Sequence, residues 1–252
     1  MELSNTVTRR WLIPVAVAVL SLHTPTVIGQ TRSQQTNKDR ILAAAMKGLS
    51  SSDELERSDA IVTLLNLGET AIPSLIDLVR ELARWYPPGT RVYPCPEESL
   101  AACEEFHRSQ RRLRSDVIML LGHLHAVEAV PLLIEIMELG ESSALGTYHG
   151  PEVGALIEIG KDAVPQLLEA LRQAEERRQT NVDSVPAAND SEEKIAMLLG
   201  NIGDARALPV LEELSLTLTR PIPKSIVETA IKEIKERETL KQSAVPKTIR
   251  KP

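Results

Sequence analysis

A five-residue phrase occurs four times in this 252-residue chain and constrains its architecture more than any other feature. The copies are Ala71-Ile72-Pro73-Ser74-Leu75, Ala129-Val130-Pro131-Leu132-Leu133, Ala163-Val164-Pro165-Gln166-Leu167 and Ala207-Leu208-Pro209-Val210-Leu211. Each follows an apolar helical stretch closed by Gly (Gly68, Gly122, Gly160, and Gly200 or Gly203), and each opens a second such stretch. Proline fits the first turn of a helix, where its missing N–H had no intrahelical partner. The four prolines therefore mark helix starts. Thr70, Asp162 and Asp204 have capping chemistry just upstream, whereas Val127-Glu128 offers no such cap in the second copy. The small Ala lets two helices approach closely at the turn. Beyond Pro, apolar residues recur at helical spacing, as in Leu75, Ile76, Leu78, Val79 and Leu82.

One such hairpin cannot bury its own apolar faces, but several stacked in a row can. Strand signals are absent. Aromatics make up only 2% of the chain, so the core must be aliphatic and the class all-α. The prolines lie 58, 34 and 44 residues apart, around the roughly 40–47 of helix-pair solenoids. These segments resemble HEAT repeats, in particular the phycobilin-lyase-type subgroup with its Gly-(Asp)-x-Ala-Val-Pro-x-Leu turn. Lys161-Asp162-Ala163-Val164-Pro165-Gln166-Leu167-Leu168 and Gly203-Asp204-Ala205-Arg206-Ala207-Leu208-Pro209 carry the likeness best, within a span of about 53–236. The resemblance implies an α-solenoid of stacked antiparallel helix pairs, about four repeats with terminal capping helices. Of function it implies only a binding scaffold.

Residues 1–29 have the form of a secretory signal. Arg9 and Arg10 form a basic region, Trp11 to Leu22 a 12-residue apolar run, and Val27 and Gly29 place a cleavage site before Gln30. Twelve apolar residues fall short of the ~20 that span a bilayer. Thr8-Arg9-Arg10-Trp11 also resembles a twin-arginine signal, so the export route stays open. Export to a periplasm or beyond is the expectation, with no membrane span in the mature chain. Loss of two Arg and one Glu would move the formal charge from −6 to −7, and a pI near 5.5 argues against a nucleic-acid partner. Residues 30–36 are expected as a flexible leader and 37–240 as the solenoid, Asn37 to Leu49 being its first cap. Insertions are expected at 83–114 and 140–150, the former ending in a short helix from Glu97 to about Arg114. A linker is expected at 173–192, with Val185 to Ser191 its flexible part and repeat four beginning near Glu192. Ser225 to Glu238 is the expected closing cap and 241–252 a disordered basic tail.

The unusual residues cluster. Past residue 29 the aromatics are Trp85, Tyr86, Tyr93, Phe106 and Tyr148, four in the first insertion and one in the second. Arg84, Arg91 and His149 lie among them. Trp, Tyr and Arg dominate binding hot spots, so these eight residues are the candidate partner-binding set. The alternative is that the aromatics pin long loops to the helices. Cys95 and Cys103 are the only cysteines; in an exported protein so close a pair most simply forms a disulfide. A metal site from Cys95, Cys103 and His107 would have three ligands at no recognised spacing. His123 and His125, two apart, face different sides of a helix and suit turn and surface positions. The acid pairs Glu97-Glu98 and Glu104-Glu105 and the arginines 108, 111, 112 and 114 suit solvated helix faces. No phosphate loop, nucleophile elbow or His-Glu-x-x-His occurs, so no catalytic residue, cofactor or metal is assigned. The expected function is an exported, non-catalytic adaptor that binds another protein. The alternatives are a chromophore lyase or cofactor chaperone, which the family resemblance brings in, and a purely structural envelope component.

Overall fold

The computed structural model describes residues 28–84, 99–138, 150–180, 185–219 and 221–244. These are all-helical, with no strand among them. The α-helices are α1 (Ile28–Gly48), α2 (Glu54–Leu67), α3 (Ile72–Arg84), α4 (Leu100–His123), α5 (Val130–Glu138), α6 (Pro151–Ile159), α7 (Val164–Thr180), α8 (Val185–Ile202), α9 (Leu208–Thr217) and α10 (Pro221–Ala244). Contacts divide the chain into Met1–Asn37 and Lys38–Pro252. Of the first unit only the opening of α1 is described, and the expected signal segment lies almost wholly outside the described residues.

Each copy of the phrase builds the same local structure. A short 3-10 turn comes first (Gly68–Ala71, Val127–Ala129, Gly160–Asp162, Ala205–Ala207), and the helix starts at the branched residue, with Pro second. The turn accounts for backbone donors that side-chain caps were expected to satisfy: Ala129 N–H donates to the Ala126 carbonyl at 3.0 Å, Ala163 to Gly160 at 3.0 Å and Ala207 to Asp204 at 3.1 Å. Asp204 does cap, accepting from Arg206 N–H at 2.9 Å. Thr70 and Asp162 instead lie within the 3-10 turns. Ala71, Ala129, Ala163 and Ala207 are fully buried, as are Leu75, Leu133, Leu167 and Leu211, while all four prolines are exposed. Full burial of one leucine contributes about 1.5–3 kcal/mol, so each turn is anchored by its own leucine.

Within the longer unit α2, α4, α6, α8 and α10 touch in series, and α3, α5 and α7 form a second series. The series meet where α3 packs on α4, α5 on α6, α7 on α8 and α9 on α10. One contiguous aliphatic core runs between them, from Ala45 and Leu64 through Ile118, Leu133, Leu156 and Leu171 to Leu199 and Ile234. The stretch Glu54–Ala83 is long and apolar enough to cross a membrane by composition. It is folded as α2 and α3 on either side of the turn at Gly68, with Leu64, Leu75 and Val79 wholly buried.

Several expected boundaries are corrected. α1 starts at Ile28, so the expected leader 30–36 is helical. The helix expected from Glu97 to Arg114 and the next repeat's first helix are one continuous α4, capped by Ser99, which accepts from Ala102 N–H at 3.2 Å. No Gly or Pro lies between Ser99 and Gly122 to break it. The expected linker 173–192 is helical on both sides of 181–184, since α7 runs to Thr180 and α8 begins at Val185. The closing helix α10 starts at Pro221 and extends to Ala244, into the expected tail.

The glycines divide by role. Gly68, Gly160 and Gly203 have φ of 58°, 72° and 70°, the left-handed region that favours Gly, and they end helices as expected. Gly122 and Gly200 do not. They lie inside α4 and α8, where a Cβ at Gly122 would stand 2.7 Å from Ala155 Cα and one at Gly200 2.9 Å from Ala230 Cα. The tight α4–α6 and α8–α10 contacts depend on that missing atom. Gly154, inside α6, would place its Cβ 3.7 Å from Met119 Sδ, an ordinary contact. Helix propensity favours Ala over Gly by about 1 kcal/mol, whereas overpacking costs about 1–3 kcal/mol. Urea unfolding of Gly122→Ala and Gly200→Ala is therefore expected to show lower midpoints than the parent, and Gly154→Ala an equal or higher one.

Candidate functional site

Of the candidate partner-binding residues, Phe106 is described with its side chain, and Arg84 is the last residue of α3. Trp85, Tyr86, Arg91, Tyr93, Tyr148 and His149 lie outside the described residues, as does Cys95. Phe106 stands in the first half of α4, edge-on to His107 with ring centres 5.5 Å apart. Cys103 lies one turn before it. No residue from 101 to 112 is buried, whereas Leu113, Val117, Ile118, Leu120 and Leu121 all are. One helix thus changes from half-exposed to core along its length, and its half-exposed part carries Cys103, Phe106 and His107. The arginines on that part stay at the surface as expected, Arg108 pairing with Glu105 one turn back.

His123 pairs with Glu158 of α6, and His125 follows α4 at φ 49°, the positive-φ non-Gly residue of the described chain. Turn and surface roles thus account for both. Among the described residues no group of three or more His, Cys, Asp or Glu is placed to hold a metal ion.

Sequence reasoning missed a polar cluster at the start of α8. Ser191, Glu192, Glu193 and Lys194 are buried, although Ser191 and Glu192 fall in the expected linker. Glu192 accepts from Arg178 Nε of α7 at 3.0 Å with its side chain 1% exposed, and its Oε2 meets no donor. Arg178 also reaches Thr217 of α9 at 3.3 Å and lies 3.7 Å from Glu175. Lys194 Nζ donates to the Met137 carbonyl at the end of α5, at 3.2 Å. The cluster ties α5, α7, α8 and α9 together. Burial holds the Glu192 carboxyl above the ordinary carboxylate range, against the pull of Arg178. The Asp204 cap behaves oppositely: its hydrogen bond from Arg206 holds it below that range.

Grooves open on the surface of the described residues. One of about 470 Å³ lies between α5 and α7, floored by Ile134, Ala170 and the exposed prolines 131 and 165. A second, of about 300 Å³, lies between α3 and the 3-10 turn that precedes α5, beside Pro73 and Ile76. A third, of about 290 Å³, lies between α8 and α10, with Glu193 and Glu233 on its lining.

No family model, no curated protein and no solved structure matches this chain.

The raised Glu192 carboxyl makes a signed prediction. Between the ordinary carboxylate pKa and the raised one, the folded state binds a proton that the unfolded state does not, so stability falls as pH rises through that window. Glu192→Gln keeps an acceptor for Arg178 and removes the titration. Thermal unfolding from pH 4.5 to 7.5 should show a shallower decline with rising pH for the variant than for the parent. An unchanged slope would place the titrating group elsewhere, Asp116 being the other carboxyl raised by burial.

Proposed function

We propose that this chain is an exported, non-catalytic scaffold of HEAT-like helix pairs, and that the segments between its repeats bind another protein. The observation that carries the reading is α4. Its second half belongs to the core and its first half has no buried residue between 101 and 112, so that half forms a half-exposed arm beyond the core. Phe106 stands on that arm, and α3, which ends at Arg84, leads into the aromatic-bearing segment from the other side. The repeated phrase, its buried Ala and Leu and the two series of touching helices support the solenoid part of the proposal. The basic and apolar leader of residues 1–29 supports export, with cleavage falling in the first turn of α1.

Binding through this arm predicts that Trp85→Ala/Tyr93→Ala/Phe106→Ala loses a partner that the parent protein captures from an extract of its source cells. Far-UV circular dichroism should be unchanged, because Phe106 is not in the core. Equal capture by parent and variant would move the site to the helix faces.

Export proposes that Cys95 and Cys103 are joined. Closing a short loop stabilises a chain by restricting its unfolded state, by about 2–4 kcal/mol in typical cases. Thiol titration in denaturant should then find no reactive thiol before reduction and two after it, with the thermal midpoint falling on reduction. Two reactive thiols in the unreduced, purified protein would overturn both the pairing and the oxidising compartment.

A further inference from the structure

The phrase repeats more than a turn. One helical turn beyond each proline stands a carboxylate: Asp77, Glu135, Glu169 and Glu213, all four exposed. Residues four apart lie on one face of a helix, so each proline and its acid form a pair on the outer side of α3, α5, α7 and α9. The alanine and leucine of the phrase are buried on the opposite side. Because α3 touches α5 and α5 touches α7, the pairs form a ladder.

One of the grooves, between α5 and α7, is the gap between two rungs, and another lies beside the α3 rung. The α5–α7 groove has Glu135, Glu138 and Glu169 on its walls and no cation in its lining. The α3–α5 groove has Glu69, Asp77 and Glu128 with Arg80 as its one cation. Local pairing leaves part of this charge unmatched: Asp77 is bridged by Arg80, Glu169 by Arg172 and Glu138 by Arg177, while Glu135 has no ion pair among the described residues. In the α5–α7 groove the Gln166 Oε1 is buried and meets no donor. The surface therefore offers an apolar proline floor and acidic walls.

We propose that the outer face of α3, α5 and α7 is a docking track for an extended, cationic segment of a partner polypeptide, with a lysine or arginine at every third residue. The spacing follows from geometry. Packed helices lie about 8–10 Å apart, and a polyproline-II segment rises about 9.3 Å in three residues at 3.1 Å each, so triplet-spaced cations meet successive rungs. A nucleic acid, with its phosphate charge, would be repelled. This track is a different surface from the α4 arm, and its occupation does not depend on that arm.

The test uses the full chain and two fluorescein-labelled peptides in low-salt buffer, read by anisotropy. One is four repeats of Lys-Pro-Ala, and the other has the same composition with its lysines adjacent. The triplet-spaced peptide is expected to bind about tenfold more tightly, a difference of about 1.4 kcal/mol. Glu135→Lys/Glu169→Lys should weaken that binding about tenfold or more, since like charges facing across an interface cost several kcal/mol. Asp59→Lys/Glu228→Lys changes net charge equally at exposed positions off the track and should leave the binding within about twofold. Parallel thermal melts confirm that both variants fold. No binding to the parent, equal binding of the two peptides, or equal loss in both variants would overturn the track. The latter two results would leave only general attraction to an acidic protein. Capture through the α4 arm would be untouched by any of these outcomes.

Discussion

The buried alanine and leucine of each repeated turn are the constraint on which the longer unit rests. They are fully buried in all four copies, so the turn sits inside the core while its proline faces water. A turn normally belongs at the surface, because its backbone donors need partners. Here the 3-10 turn supplies partners from within, and the chain can reverse against the core without side-chain caps. Asp204 adds such a cap only in the fourth copy. Because the interior anchor is the same four times over, the exposed position one turn beyond the proline is also the same four times over. The ladder of acids and the α5–α7 groove between two of its rungs follow from that register.

Close approach in the even-numbered series is achieved differently. Gly122 lets α4 rest on the Ala155 backbone of α6, and Gly200 lets α8 rest on Ala230 of α10. These two contacts are the most extensive between helices among the described residues. Between them, at α6–α8, the contact is looser, and α8 is tied instead to α7 and α5 by the polar cluster of Arg178, Glu192 and Lys194. A buried ion pair gives little net stability once desolvation is counted, but removing one partner leaves an uncompensated charge. In this cluster α8 presents Glu192 to α7 and Lys194 to the end of α5 at the same time.

Much of the fold was legible in the residues. Proline chemistry placed four helix starts, and each structural start falls one residue before its proline. The leucine of every phrase was expected in the core and is there. Helix ends were less legible. Gly122 and Gly200 looked like terminators, as Gly68 and Gly160 are, because a glycine needed for its missing Cβ and one needed for its positive φ are the same letter. Residues 173–192 looked like a linker because they are polar, yet Glu192 is matched by Arg178, 14 residues away, and nearby Lys194 by the Met137 carbonyl, 57 residues away. The α4 arm was half legible: its aromatic and cysteine content stood out, but its continuity with the core helix did not.

By itself the sequence determined the class, the positions of the repeated turns and the aliphatic core, because these depend on local chemistry: proline's missing donor, the helical period and the near absence of aromatics. Tertiary structure alone decided which glycines are contacts, which charged residues are interior, and that acids far apart in the chain share one outer face. Those features depend on what lies across the helix–helix interface, and the identity of a cross-interface neighbour is not written within one turn of the residue that meets it.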